Sequence, residues 1–258
     1  MIRNEQIAAL ARTEEERILL LRCTERLARA QEREIPALTA FLAPGEQALL
    51  RCVLPGCSFF GGVEGAQRAV AYFLPDYLEA DDFWSDGPIV CLRAEFFEKN
   101  ALSHRDILGA LMGAGVRRDA IGDIYVSANH CDFFVLRELA PYLLENLTSA
   151  GRHHLSLREL PLCEVETPKV ELREQRVTVS SLRLDAVLTA AFHLSRGRSA
   201  EAIRAGHAAV NGLVTQKPDR MVQEGDELSL RGSGKLRLLS INGETRKARL
   251  SITLGIYV

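Results

Sequence analysis

The sequence has no apolar run long enough to cross a bilayer, and its first residues, Met-Ile-Arg-Asn-Glu-Gln, lack the apolar core of a signal peptide. Its cysteines form only one close pair, Cys52 and Cys57, with no second pair to complete a zinc-binding pattern. Because most of the cysteines have apolar neighbours, we expect them to be buried free thiols. We therefore expect a cytoplasmic protein that binds neither a metal nor a cofactor.

The motifs of several common catalytic sites are missing as well. There is no Gly-x-Ser-x-Gly nucleophile turn and no His-Glu-x-x-His metal motif. The glycine-rich stretch 61–65 lacks the Lys-Ser/Thr ending of a phosphate loop and the spacing of a dinucleotide-binding loop, so it indicates a tight turn. His153 and His154 are adjacent, which predicts that they lie on opposite faces of a strand. These absences favour a protein without catalytic activity.

What the sequence does have is an uneven distribution of charge. The composition is that of a globular protein, with 47% hydrophobic and 26% charged residues and a formal net charge of -2. From Arg176 onward there are 13 Lys and Arg against 7 Asp and Glu, whereas the rest of the chain has 19 against 27. The basic C-terminal part predicts a polyanionic partner. The net negative charge of the front part would keep it off bare RNA, and our hypothesis is that it contacts protein or a second RNA surface while the basic part binds RNA.

The segment 1–84 is predicted to be a mainly helical domain. Thr13 and Glu16 have the spacing of a capping box, and apolar residues follow at helical intervals among charges. Pro36 ends that pattern, and Pro44 begins a further short helix.

The segment 85–162 has the element order β-α-β-β-α-β. The predicted elements are, in chain order, strand 88–97, helix 104–112, strands 122–127 and 131–135, helix 138–147 and strand 154–160. Ser103 is expected to cap the first helix. This order is that of the ferredoxin-like fold, which RNA-recognition motifs share. Phe133 or Phe134 could stack on a base in such a domain, with a place in the core as the alternative.

A linker is predicted at 163–180, because the stretch around it is charged, contains prolines and shows no period. The segment 181–258 is then predicted to hold two helices on a small sheet, ending in a β-hairpin extension. The first helix runs from 181–185 to Phe192, and the second from Ala200 to Ala205. Arg196 and Arg198 lie where the second helix begins, and its free N–H groups favour a phosphate there.

Residues 181–235 resemble the S4 RNA-binding domain, first known from a small-subunit ribosomal protein. The resemblance rests on the motifs Leu-Arg-Leu-Asp185, Leu-Ser-Arg196, Ile-Arg-Ala-Gly206, Val-Asn-Gly212 and Gly-Asp226. Two departures stand out. His207-Ala208-Ala209 replaces the Lys-Val-Lys of many relatives, and Gly197 interrupts the usual start of the second helix. The resemblance implies RNA binding, with fewer positive charges than is usual.

Most of the chain is similar to the YlmH family. The motifs that carry this resemblance are Phe-Phe-Gly-Gly-Val-Glu-Gly-Ala66, Tyr-Phe-Leu-Pro75, His-Arg-Asp-Ile-Leu-Gly109, Ile-Gly-Asp-Ile124 and Arg-Gly-Ser-Gly-Lys235. The resemblance implies an α+β chain with a helical N-terminal region, an RNA-recognition-like middle domain and an S4-type αα/β domain at the C-terminus. It also implies binding to ribosomal RNA or tRNA on the large ribosomal subunit, in quality control of stalled peptidyl-tRNA complexes. We expect no membrane, no small-molecule substrate and a monomer.

The resemblance further implies a set of RNA-binding residues. They are Arg183, Ser195, Arg196, Arg198, Arg204, Asn211, Arg231, Lys235 and Arg237. Phosphates are expected at Arg196, Arg198 and Lys235, because guanidinium and ammonium groups bind phosphate oxygens. Ser195 and Asn211 are expected to stabilise turns or to bond a ribose hydroxyl.

Two other functions stay open at this point. S4 domains often accompany catalytic domains, and Arg183-Leu184-Asp185 resembles the Arg-Leu-Asp motif of pseudouridine synthases, in which the aspartate is catalytic. A ribosome-assembly factor is the other alternative. In the S4 interpretation the same Asp185 caps or orients the first helix.

Overall fold

The computed structural model describes residues 4–85, 87–96, 102–168, 171–245 and 249–257. The chain divides into two compact units, Met1–Pro168 and Lys169–Val258. The first unit contains both of the predicted segments 1–84 and 85–162. None of the helices that the structure describes is long and apolar enough to span a membrane.

The N-terminal part of the first unit is a three-stranded antiparallel sheet with helices. Its elements are α1 (Asn4–Leu10), α2 (Glu14–Arg33), β1 (Ala37–Leu42), α3 (Pro44–Val53), β2 (Ser58–Phe60), β3 (Ala69–Phe73) and α4 (Ala80–Ser85), with the strand order β1-β3-β2. The predicted cap of α2 is confirmed, because the Thr13 hydroxyl accepts a hydrogen bond from the Glu16 N–H at 3.2 Å. The Glu16 carboxylate bonds the Arg12 N–H instead of completing a box with Thr13.

The remainder of the first unit has the predicted ferredoxin-like arrangement. Its elements are β4 (Ile89–Glu95), α5 (His104–Gly113), β5 (Ile121–Val126), β6 (His130–Leu136), α6 (Ala140–Asn146), the short β7 (Ser149–Ala150) and β8 (His153–His154), and β9 (Ser156–Leu160). The four long strands pair antiparallel in the order β5-β6-β4-β9, which is the split βαβ topology. Ser103 caps α5 as expected. The predicted end of β4 at Phe97 lies outside the described residues.

Both faces of this four-stranded sheet are covered. Alternation along β6 places Phe133 among the residues packed beneath α5 and α6, and Phe134 on the opposite face, against Phe41 and Val70 of the N-terminal sheet. Both phenylalanine side chains are 0% exposed. The prediction that one of them could stack on a base is therefore wrong, and the alternative of a core position is confirmed for both.

The covered face allows no room for additional side chains. A Cβ atom on Gly62, whose φ is +100°, would lie 2.5 Å from the Phe134 ring, and one on Gly122 would lie 2.8 Å from the Phe41 ring. The glycine-rich stretch that the sequence analysis assigned to a turn thus lets the backbone approach the sheet closely. Within residues 61–65, Gly62 and Val63 of the N-terminal segment pack against the cluster that contains Phe134.

Buried hydrogen bonds hold the same two parts together. The Asp123 carboxylate on β5 accepts from the N–H groups of Gln67 and Arg68 at 2.6 and 3.0 Å. The Arg68 guanidinium donates to the carbonyl oxygens of Ile121 and Phe41 at 2.9 and 3.0 Å. Since these groups are buried or half-buried, removing the Asp123 carboxylate would leave the N–H groups of Gln67 and Arg68 without their acceptors, at a cost in stability.

We predict that Phe134→Ala lowers the free energy of unfolding by about 3–5 kcal/mol, because it opens a cavity between two packed sheets. Urea unfolding of the full chain, followed by circular dichroism, measures this change. Met112→Ala is the matched control, since Met112 is 52% exposed. A Phe134→Ala variant with wild-type stability and weakened RNA binding would restore the base-stacking role.

The second unit is a six-stranded antiparallel sheet with two helices on one face. Its elements are β10 (Leu172–Val179), α7 (Leu184–Phe192), α8 (Arg196–Arg204), β11 (Ala208–Val210), β12 (Leu213–Thr215), β13 (Glu227–Leu230), β14 (Gly234–Glu244) and β15 (Leu250–Tyr257), with the strand order β10-β15-β14-β13-β11-β12. The core joins apolar residues of both helices, such as Leu188 and Ile203, to Leu228, Leu236 and Leu254 of the sheet.

The predicted linker at 163–180 is corrected by strand β10. Residues Leu172–Val179 pair along their whole length with β15, from the Leu172–Tyr257 pair to the Val179–Leu250 pair. The strand lies at the edge of the sheet, where charged residues are common because only one side is paired. Its charges made it resemble a linker.

The second helix begins earlier than the predicted Ala200. The Ser195 hydroxyl accepts a hydrogen bond from the Arg198 N–H at 3.3 Å and caps α8, which starts at Arg196. Gly197 therefore lies inside the first turn and does not interrupt the helix.

Candidate functional site

The turn between α7 and α8 has a defined conformation. His193 ends α7 with a φ of +53°, and Ser195 caps α8 two residues later. The Thr189 hydroxyl donates to the Ser199 hydroxyl oxygen at 2.9 Å, which joins the two helices behind the turn. Ser199 is 0% exposed. The predicted role of Ser195 in stabilising the turn is thereby supported, and the first turn of α8 is held in place.

Arg183 lies at the N-cap of α7 and pairs with Asp185 through two N–H groups on one edge of its guanidinium. The distances are 3.0 Å from Nε to Oδ1 and 3.0 Å from Nη2 to Oδ2. The hydrogen bonds from Arg183 hold the pKa of Asp185 below its ordinary value, and the nearby charge of Arg196 adds to this effect. Asp185 thus orients Arg183, whose side chain stays 42% exposed.

Arg196 and Arg198 lie in the first turn of α8, and both are exposed. Arg196 donates from Nη2 to the Ser180 hydroxyl at 2.8 Å, which leaves its remaining N–H groups for other acceptors. Neither arginine forms a salt bridge with a carboxylate in the part of the chain that the structure describes. Two guanidinium groups at a helix N-terminus can hold a phosphate, because the free backbone N–H groups there also favour an anion.

Lys235 and Arg237 gather around one carboxylate on the sheet. The Lys235 Nζ lies 2.8 Å from Glu227 Oε1, and the Arg237 Nη2 lies 3.7 Å from Glu227 Oε2. The Tyr257 hydroxyl donates to the same Oε2 at 2.7 Å, and the Lys235 Nζ is 4.9 Å from the centre of the Tyr257 ring. Burial, with the adjacent Glu227, raises the pKa of Tyr257 to about 12, so that its phenol stays protonated and donates.

Sequence reasoning did not single out Glu227 or Tyr257. The register that pairs Glu227 with Arg237, and the proximity of Tyr257 to Lys235, depend on strands far apart in the chain. The only local signal was the alternation of Tyr257 with the apolar Ile256.

Asn211 has a structural role. Its φ is +52°, and with Gly212 it forms the two-residue hairpin that joins Val210 to Leu213. Its Nδ2 donates to Asp226 Oδ1 at 2.7 Å, and its Oδ1 accepts from the Glu227 N–H at 2.8 Å. These contacts support the expected turn-stabilising role.

Arg204 and Arg231 complete the predicted set. Arg204 is exposed at the end of α8, and Arg231 is exposed after β13, with its backbone N–H donating to the His207 carbonyl at 2.9 Å. The structure pairs Arg183 with Asp185, brings Arg196 within electrostatic range of the same carboxylate, and gathers Lys235 and Arg237 around Glu227.

No group of three or more His, Cys, Asp or Glu that could hold a metal ion occurs among the described residues. All six cysteines are free. Cys23, Cys91 and Cys131 are buried as expected, whereas Cys52 and Cys163 are exposed. Burial raises the pKa of Cys23 and Cys91 to about 12, so these thiols stay protonated.

Residues 182–228 match the model of the S4 domain, and residues 90–164 match a model described as "Putative RNA-binding domain in YlmH". The chain is an S4-domain RNA-binding protein. It is also 36% identical over 228 residues to the "Ribosome-associated protein quality control protein P2" of Bacillus subtilis (strain 168). The aligned region covers 86% of this chain and 88% of that protein. The chain belongs to the YlmH family.

A solved structure shares the fold over part of the chain. The "Cell division protein ylmH from Streptococcus pneumoniae" superimposes with a TM-score of 0.51 at 21% identity. The match covers 61% of this chain and 98% of that one.

We predict that Asn211→Ala lowers the free energy of unfolding by about 1–3 kcal/mol. The change removes two side-chain hydrogen bonds, and Ala tolerates a positive φ less well than Asn does. Urea denaturation of the full chain measures this, with Val214→Ala, 38% exposed on the neighbouring strand, as the control. Unchanged stability with weaker RNA binding would assign Asn211 to the RNA contact.

Proposed function

We propose that this chain binds ribosomal RNA or tRNA on the large ribosomal subunit, in the cytoplasm, without catalysing a reaction. The exposed α7–α8 surface formed by Arg183, Arg196 and Arg198 makes the primary contact, and we call it the helical arginine surface. The observation that carries the proposal is the pair of arginines without carboxylate partners, within the described residues, at a capped helix N-terminus of an S4 domain.

The helical arginine surface is suited to phosphate. Arg198 projects from the first turn of α8, Arg196 keeps donors beyond its bond to Ser180, and Asp185 holds Arg183 in one orientation. Guanidinium groups held in this way lose less side-chain entropy on binding. Such contacts position the chain on RNA and carry no sequence preference of their own.

Other members of the predicted set make secondary contacts. Lys235 and Arg237 share the charge of Glu227, so together they present less positive charge than two free cations. The Tyr257 ring beside them adds a surface on which a base could stack. Arg204 and Arg231 are exposed and available to the phosphate backbone.

The biological step that we propose is quality control of stalled peptidyl-tRNA complexes. It is supported by the name of the Bacillus subtilis relative, which refers to ribosome-associated protein quality control. We propose that the chain acts there as a monomer. Preference for subunits that carry peptidyl-tRNA would separate this role from ribosome assembly.

Changing both Arg196 and Arg198 to Ala is expected to weaken large-subunit association by about 1–3 kcal/mol and to lower the slope of log affinity against log salt by about 1–2. Co-sedimentation with purified subunits over a salt series, with and without peptidyl-tRNA, measures both quantities. The matched control is the change of Arg173 and Arg176 to Ala, since both are exposed on β10 of the same unit.

Equal weakening by the two double variants would mean that binding depends on net charge and not on the helical arginine surface. Association that peptidyl-tRNA does not strengthen would argue against the quality-control step.

The enzymatic alternative assigns catalysis to Asp185. We predict no conversion of uridine to pseudouridine when the purified chain is incubated with tRNA or ribosomal RNA, because Arg183 occupies both Asp185 oxygens. Mass spectrometry of the digested RNA measures the product. Turnover by the wild type that Asp185→Asn abolishes would contradict a purely binding role.

A further inference from the structure

The acidic front part of the chain contains a row of arginines on one helix face. Arg22, Arg26, Arg29 and Arg33 follow one another at intervals of four, three and four residues along α2. At 100° per residue, their directions fall within an arc of roughly 60°. All four are exposed. We call this row the α2 arginine row.

The α2 arginine row borders a groove within the first unit. Three adjoining cavities, of about 870, 610 and 560 Å³, all include Arg26 in their walls. Arg117 and Asp119, from the connection between α5 and β5, form part of the opposite wall. Eight arginines and five acidic residues line the three cavities together. The groove is therefore positive in a segment whose net charge is negative.

The positive charge of the row is only slightly neutralised. Arg29 lies 3.5 Å from Glu25, but Arg22, Arg26 and Arg33 form no salt bridge with any carboxylate that the structure describes. Elsewhere near the start of α2, arginines are paired with neighbouring glutamates at 2.7 Å. Since these three guanidinium groups have no carboxylate partner within the described ranges, their charge is available to a ligand.

We propose that the α2 arginine row binds the phosphate backbone of RNA, as a second contact that is separate from the S4 domain. From Arg22 to Arg33 the row covers eleven helical steps, or about 16 Å of helix axis. Duplex nucleic acid carries one charge per about 1.7 Å of its axis, so each arginine has a phosphate within reach. This inference goes beyond the proposed function, which places RNA on the second unit.

RNA fits the row better than an acidic protein segment does. A polynucleotide carries a charge at every nucleotide, so it can neutralise every arginine of an evenly spaced row. The groove also contains Tyr142, which is 46% exposed, and an aromatic ring next to arginines offers a base a stacking partner.

The test uses the full chain, because residues 61–65 cover Phe134 and a deletion of the front segment would expose the core. The row variant changes Arg22, Arg26 and Arg33 to Gln. The matched control changes Arg12, Arg17 and Arg158 to Gln, which removes the same charge from arginines that pair with glutamates. The S4 variant changes Arg196 and Arg198 to Ala. Circular dichroism melting checks that every variant is folded.

Fluorescence anisotropy with a labelled RNA stem-loop, over a salt series, measures the affinity of each protein. The row variant should bind at least on the order of a hundredfold more weakly at 0.1 M salt, with a salt slope lower by about 3, while the control resembles the wild type. A row variant that matches its control would overturn the inference, as would cross-linking of the row to ribosomal protein alone.

The same assay distinguishes this inference from the proposed function. If the row variant binds RNA more weakly and the S4 variant does not, the proposal for the helical arginine surface is wrong and the proposal for the α2 arginine row is supported. If only the S4 variant binds RNA more weakly, the proposal for the α2 arginine row is wrong and the proposed function is supported. A wild-type chain that does not bind RNA would overturn both.

Discussion

The candidate site depends on the packing of the α7–α8 hairpin against one apolar face of the six-stranded sheet. Leu188 and Ile203 pack the two helices against the sheet, and the hydrogen bond between Thr189 and Ser199 joins the helices to each other. The Ser195 cap then sets where α8 begins. Because both helix starts are held in this way, Arg183 and Arg196 lie within electrostatic range of one carboxylate, Asp185, without any ligand present. A loosely packed hairpin would lose this arrangement and the proposed phosphate site with it.

The first unit shows why a shared fold does not transfer a binding mode. Its four-stranded sheet has the topology of RNA-recognition motifs, yet the face that could present stacking rings is closed by the N-terminal segment over Phe134. Asp123 and Gly62 complete this closure through buried hydrogen bonds and close backbone approach. Any RNA contact of this unit must therefore use its outer surfaces, such as the α2 arginine row.

Features set by neighbouring residues could be predicted from the sequence. The caps at Thr13 and Ser103 and the order of strands and helices in the middle segment rely on local spacing, and the structure confirms them. Features set by distant residues could not. Burial of Phe134 requires the segment near Gly62, and strand β10 exists only through its pairing with β15. The pairing of Lys235 with Glu227 likewise depends on strand register, so the sequence overestimated its free charge.

The central claim is that the helical arginine surface contacts RNA on the large subunit. A cryo-electron microscopy reconstruction of the full chain bound to large subunits that carry peptidyl-tRNA tests it most directly. The account predicts that Arg196 and Arg198 lie within hydrogen-bonding distance of phosphate oxygens of ribosomal RNA or tRNA. A bound chain whose α7–α8 surface faces solvent or a ribosomal protein would contradict the account.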